Sequence, residues 1–236
     1  MSGYLDLQGR LRPGLDILAH EIIIALKKRT RYPRNLEIYN PGLVRHHPNT
    51  SLLEFELHRM EELHAELGRY TYAAQEPFSH LDDDIECIIE RKAPEEPTRN
   101  YDLGMGPKII EFYLEWMQEA CESGSDSNTF GETVTADVTA LIYIGERVNM
   151  GKSVAEFKYY QDPEKFHATH GDPDQLAALI VNREREEDVL SLAWELGEHY
   201  YCNPDRIRAF FRKMIDTTVE LEVLYLQKRI AEIEKR

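Results

Sequence analysis

The sequence predicts an all-α fold, a single-domain multi-helix bundle over residues 1–236, and three observations carry that prediction. Apolar residues recur at steps of three and four along most of the chain, the period of one helix face. Alternating runs of the kind that build half-buried strands are few. The stretches between periodic segments hold turn formers, as in "ESGSDSNTFG" and "YYCNPD", with no internal repeat and no low-complexity tract.

The elements follow in order. A first helix is predicted over about residues 11–31, with Leu15, Leu18, Ile22, Ile23 and Leu26 on its apolar face and Pro13 tolerated near its start. "RTRYPRNLEIYNPGLVRHHPNT" carries three prolines and reads as an extended connection. A second helix starts at the cap signal Asn49/Thr50/Ser51 and runs to about Arg69 through Leu53, Leu57, Met60, His64 and Leu67. Residues 73–106 are turn-rich and acidic, and "ERKAPEEPTRN" within them is expected on the surface. A third helix covers about 107–121. Beyond the following loop, one long central helix is marked by Val134, Val138, Leu141, Gly145, Val148, Lys152, Ala155 and Tyr159. Two more, over 172–199 and 204–235, complete the bundle.

The central stretch "LIYIGERVNMGKSVAEFKYY" superficially resembles a strand entering a phosphate-binding loop. That loop requires four residues between its glycines, and five separate Gly145 from Gly151, so the register fails. As a helix, the same stretch sets Arg147, Val154 and Lys158 on one stripe, the two cations about 16 Å apart along the axis. Such a pair can grip a small dianion or simply form a solvated face, and spacing alone leaves both open.

Composition narrows the classes. A net charge of -15 argues against nucleic acid and against anionic membrane surfaces, although a local cluster of cations can still hold an anionic small molecule. Cys87, Cys121 and Cys202 are odd in number and far apart, which fits no disulfide framework or thiolate zinc site and suits a reducing cytosol. No apolar run reaches membrane-span length, and "MSGYLDLQGR" lacks the apolar segment of a secretion signal. The nine histidines show no metal-ligand spacing, and no metal is expected.

Polar groups recur at suggestive spacing in four places: Arg12 ahead of Leu15 and Asp16; Arg147 with Lys158; Asn182 with Glu186; and Thr218 with Glu222, the last two pairs at i,i+4. Each pair alone also fits a cap or a solvated acid. Together they resemble the all-helical chorismate mutases, specifically the larger eukaryotic type, over nearly the whole chain. "IIIALKKRTRYPRN" and "SLLEFELHRMEELHAELGRYTYAAQEPF" are similar to that family's first two helices and its E-x-P-F turn. "FGETVTADVTALIYIGERVNMGKSVAEFKYYQ" is similar to its most specific block, and "IVNREREEDVL" and "TTVELEVLYLQKR" to its last two active-site segments.

The resemblance implies a unimolecular rearrangement of chorismate to prephenate, which needs no nucleophile, metal or cofactor. Catalysis would come from holding the reactive conformer and stabilising developing charge. Arg12 and Arg147 would bind the two carboxylates, Asn182 and Thr218 would add hydrogen bonds, and Val154 would wall the pocket. Lys158 and a protonated Glu222 would donate to the ether oxygen, and Glu186 would accept from the ring hydroxyl. A homodimer is implied, with an aromatic amino acid as effector near Arg69, Asn128, Gly131 and Thr135. Two alternatives remain: a mutase for isochorismate or 4-amino-4-deoxychorismate, and a catalytically inactive helical binding protein.

The chain departs from the family's pattern at informative positions. Arg185 stands where the eukaryotic type carries an apolar residue, which offers substrate a further basic contact. Gly68 replaces an arginine of fungal members and Glu132 a serine, and both changes point to weakened feedback control. "YYCNPD" is shorter than the fungal loop.

Overall fold

The computed structural model describes residue 9, residues 11–90 and residues 98–234. Most of "MSGYLDLQGR" and of "ERKAPEEPTRN" lies outside the described residues. Those described form helices and turns with no strand, as periodicity predicts.

Helix α1 (Arg12–Arg29) carries Pro13 in its first turn, where the missing N–H costs no hydrogen bond. Its buried face includes Leu18, Ile22, Ile23 and Leu26. Arg29 at its end is fully buried, and its Nε donates to Asp137 Oδ1 at 2.6 Å. The hydroxyls of Tyr39 and Tyr113 donate to the same carboxylate at 2.7 and 2.6 Å. Asp137 thereby joins α1, the short turn Leu36–Tyr39, α3 (Gly106–Ala120) and α4 (Phe130–Asn149).

Helix α2 (Leu52–Glu66) opens on Ser51, whose side chain and that of Glu54 cap each other's backbone reciprocally. It stops three residues short of the predicted Arg69, because Gly68 at φ 71 turns the chain and leaves Leu67 exposed. Glu61, buried on α2, accepts from the backbone N–H groups of Phe78 and Ser79, which pins the turn after Gln75-Glu76-Pro77 to the bundle.

Two helices predicted as continuous are each divided. The central one becomes α4 and α5 (Gly151–Gln161), with a tightened turn at Met150 whose carbonyl accepts from both Ser153 and Val154. A Cβ on Gly151 would lie 2.9 Å from Thr218 Cγ2, so glycine here lets α5 press against the last helix. The stripe from Val134 to Tyr159 is buried throughout all the same. Past α6 (Pro163–His167), the segment predicted as one helix over 172–199 becomes α7 (Pro173–Ile180) and α8 (Arg183–His199). Val181 and Asn182 are extended, and Asn182 Oδ1 accepts from the Arg185 N–H, starting a new helix.

Helix α9 (Pro204–Glu234), 31 residues long, packs on α8, α5, α7, α3 and α4. Its first half, through Ile207, Phe211 and Ile215, joins the core shared with α1 to α4 and α8. Its second half, through Val223, Leu226 and Ile230, joins a smaller core with Ala155, Tyr159, Phe166 and Leu176. The candidate site lies at the seam.

Candidate active site

A cavity of about 140 Å³ opens where α1, α4, α5, α8 and α9 meet. Arg147, Val154, Lys158, Asn182, Arg185, Glu186, Thr218 and Glu222, all singled out from sequence, line it together. Arg12 is not among the lining residues; it sits at the start of α1, one turn before Leu15, which is. The apolar walls, including Ile180, Val189, Ile215 and Val219, come from the two cores and carry no sequence signal beyond ordinary helix periodicity.

The breaks in the predicted helices build this site. Ending α7 at Ile180 leaves its carbonyl without a helical partner, and Lys158 Nζ donates to it at 2.8 Å. The same ammonium donates to Glu222 Oε2 at 2.9 Å, two of its three N–H groups being thus engaged. Glu222 is 5% exposed, and burial raises its pKa above the ordinary carboxylate value, with Lys158 opposing and the Glu186 charge reinforcing the rise. Thr218, one turn before Glu222, donates its hydroxyl to the Met214 carbonyl, which leaves the oxygen's lone pairs available.

Arg147 is buried, contrary to a solvated-face reading of its stripe. Its guanidinium lies 5.5 Å from the Phe211 ring centre, and its Nε has no hydrogen-bond partner among the described residues. Burial lowers its pKa to about 10, Asp16 opposing and Arg185 adding to the fall, so it remains a cation at neutral pH. A buried cation short of hydrogen bonds is costly unless an anion completes it. Arg185 Nη2 donates to Asp16 Oδ1 at 3.0 Å at the edge of the same cavity.

Of the four residues assigned to an effector, Gly131 and Thr135 line a separate cavity of about 600 Å³ with Lys28, Arg31, Glu56 and Glu132. Arg69 instead pairs with Glu146 at 2.7 Å, toward the other end of α4, and Asn128 binds Asp126.

Sequence reasoning passed over Arg212. It sits on the stripe of α9 that carries Ile215, Val219 and Glu222, and its Nη1 donates to Glu186 Oε2 at 2.9 Å. Spacing along α9 could have found it.

Fold and site together give a helical bundle with a small cavity that gathers Arg147, Arg185 and the Lys158–Glu222 ion pair. The family profile described as chorismate mutase type II matches residues 131–223, the stretch that supplies most of the cavity. The chain as a whole is similar to the chorismate mutases of fungi. It is 27% identical to the chorismate mutase of Schizosaccharomyces pombe, over 89% of this chain and 90% of that one. With the enzyme of Saccharomyces cerevisiae the figures are 26%, 97% and 96%. The crystal structure of a Candida albicans chorismate mutase in complex with L-Trp superposes with a TM-score of 0.86 at 22% identity, over 97% of this chain and 93% of that one. At that identity the likeness speaks for the fold.

Proposed function

We propose that the chain converts chorismate to prephenate, on the route to phenylalanine and tyrosine, within the cavity at the seam of the two cores. The observation that carries this is the convergence of Arg147, Lys158, Asn182, Glu186, Thr218 and Glu222, from separate helices, on one small volume. The reaction breaks one C–O bond and forms one C–C bond within a single molecule, so the protein's work is confinement and charge stabilisation.

In this reading Arg147 takes one carboxylate, which supplies its missing hydrogen bonds. The other carboxylate meets Arg12 from the start of α1, and Arg185 after it leaves Asp16. The Asn182 amide adds a hydrogen bond, the Thr218 hydroxyl adds one on turning from the Met214 carbonyl, and Val154 and the apolar walls hold the ring and side chain together. The third N–H of Lys158 donates to the ether oxygen as negative charge grows there, and Glu222 donates its proton to the same oxygen. Its raised pKa favours that form. Glu186 accepts from the ring hydroxyl.

The chain acts as one domain, since α9 belongs to both cores. It works as a homodimer, supported by exposed Leu63 and Leu67 on and just beyond α2, with Ile88 and Ile89 also exposed. An aromatic amino acid docks in the cavity beside Gly131 and Thr135; one solved relative carries tyrosine in an allosteric site. Its free thiols suit the cytosol. The test is loss of chorismate absorbance with appearance of prephenate on adding purified protein, run beside isochorismate and 4-amino-4-deoxychorismate. Turnover of an analogue in preference to chorismate, or of none of the three, would overturn the reading.

A further inference from the structure

Glu186 lines the cavity but is held by side chains that do not. It lies in the first turn of α8, and the hydrogen bonds it receives from side chains among the described residues fall on Oε2, from Arg183 Nη1 at 3.1 Å and Arg212 Nη1 at 2.9 Å. Its Oε1 is thereby left for a donor inside the cavity that Glu186 lines.

The two arginines are unequal. The Arg183 side chain is 81% exposed and three residues away on the same helix, so solvent screens it and it can leave freely. Arg212 comes across from α9, and Glu186 itself is only 12% exposed on its side chain. Arg212 is also held in turn: its Nη2 lies 3.8 Å from Glu187 Oε2, and the other oxygen of Glu187 is bound by Arg208. The planar guanidinium, 37% exposed, thus reaches from α9 to two consecutive acids of α8.

We propose that Arg212 is a positioning residue for substrate recognition: by clamping Oε2 of Glu186 to α9, it aims Oε1 at the ring hydroxyl of the substrate. This rests on the reading that Glu186 accepts that hydroxyl. The hydroxyl contact exists in bound substrate and transition state alike, so losing its alignment weakens binding to both and acts on KM more than on kcat.

The experiment uses the full chain with Arg212→Met, Arg212→Lys, Glu186→Gln and the Arg212→Met/Glu186→Gln double variant, measuring kcat and KM for chorismate and the melting temperature of each. Arg212→Met is expected to raise KM about fivefold with kcat changed less than about twofold. Arg212→Lys, which can still reach one oxygen, recovers part of that loss. In the Glu186→Gln background Arg212→Met adds little further, because there is no carboxylate left to aim, so the two changes are non-additive. Full additivity, or a KM unmoved by Arg212→Met while Glu186→Gln raises it, would overturn the positioning role and leave the Glu186 reading intact. Kinetics unmoved by Glu186→Gln itself would overturn both.

Discussion

At the scale of single residues, Arg147 separates binding from stability. Its guanidinium is buried with Nε unpartnered, so replacing it by methionine removes a desolvated charge and keeps much of the volume against Phe211. Arg147→Met is therefore expected to melt at or above the parent temperature while kcat/KM falls about a thousandfold or more. A variant that loses stability along with activity would show that Arg147 supports the core. Lys158→Ala should lose activity on the same scale, and near-normal turnover would sink its assignment. Glu222 governs the pH response. Burial raises its pKa, so the protonated donor persists above the usual carboxylate range and is lost as pH rises through that raised value. Its contribution to stability has the same sign, present below the unfolded pKa and lost as pH rises through the folded one. Activity should decline on the alkaline side, and Glu222→Gln, a permanent donor, should flatten the decline in a kcat/KM profile. An unaltered profile would assign Glu222 another role.

At the scale of elements, Asn182 does two jobs that substitution can divide. Its side-chain oxygen caps α8, and the same residue lines the cavity. Asn182→Ser retains a capping oxygen and loses the amide donor, so it should melt close to the parent and still lose kcat/KM. Asn182→Ala should lose both, with about 1 kcal/mol less stability. Equal melting temperatures for the two variants would mean the cap contributes nothing. The helices themselves were legible: every position in the stripe from Val134 to Tyr159 is buried, because periodicity records which face meets the core. The breaks at Met150 and Val181 were not, because neither position carries proline or another strong breaker. At Met150 tertiary packing decides, through the close approach of Gly151 to α9, and at Val181 the local cap of Asn182 on the Arg185 N–H competes with continuing the helix. The site followed the same division. Arg147, Val154, Lys158, Asn182, Glu186, Thr218 and Glu222, which match the family's motifs, line one cavity and Arg12 does not, whereas Arg212 touches the cavity through Glu186 and carries no motif of its own.

At the scale of the whole molecule, assembly and control are one question. Arg69 meets Glu146, whereas Thr135 and Gly131 line a cavity near the other end of α4. Fifteen residues of helix between Gly131 and Glu146 amount to about 22 Å, too far for one amino acid to span within a chain. An effector site using both ends requires two copies, so light scattering should give twice the 27.6 kDa chain mass at micromolar concentration. A monomer mass there would remove the basis for control. Within one chain, the cavity beside Thr135 places Glu56 and Glu132 among Lys28 and Arg31. A zwitterion can dock among mixed charges, but Glu132 beside its carboxylate costs on the order of 1 kcal/mol in a partly wet site. The ion pair of Arg69 with Glu146 must also open before Arg69 can serve a ligand. An effector shifts rate only by its difference in affinity for two states, and both effects erode that difference. Millimolar tyrosine or tryptophan at subsaturating chorismate should accordingly change the initial rate by less than about twofold. A large change that Thr135→Ala abolishes would show that Glu132 pairs with the effector's ammonium and that control is intact.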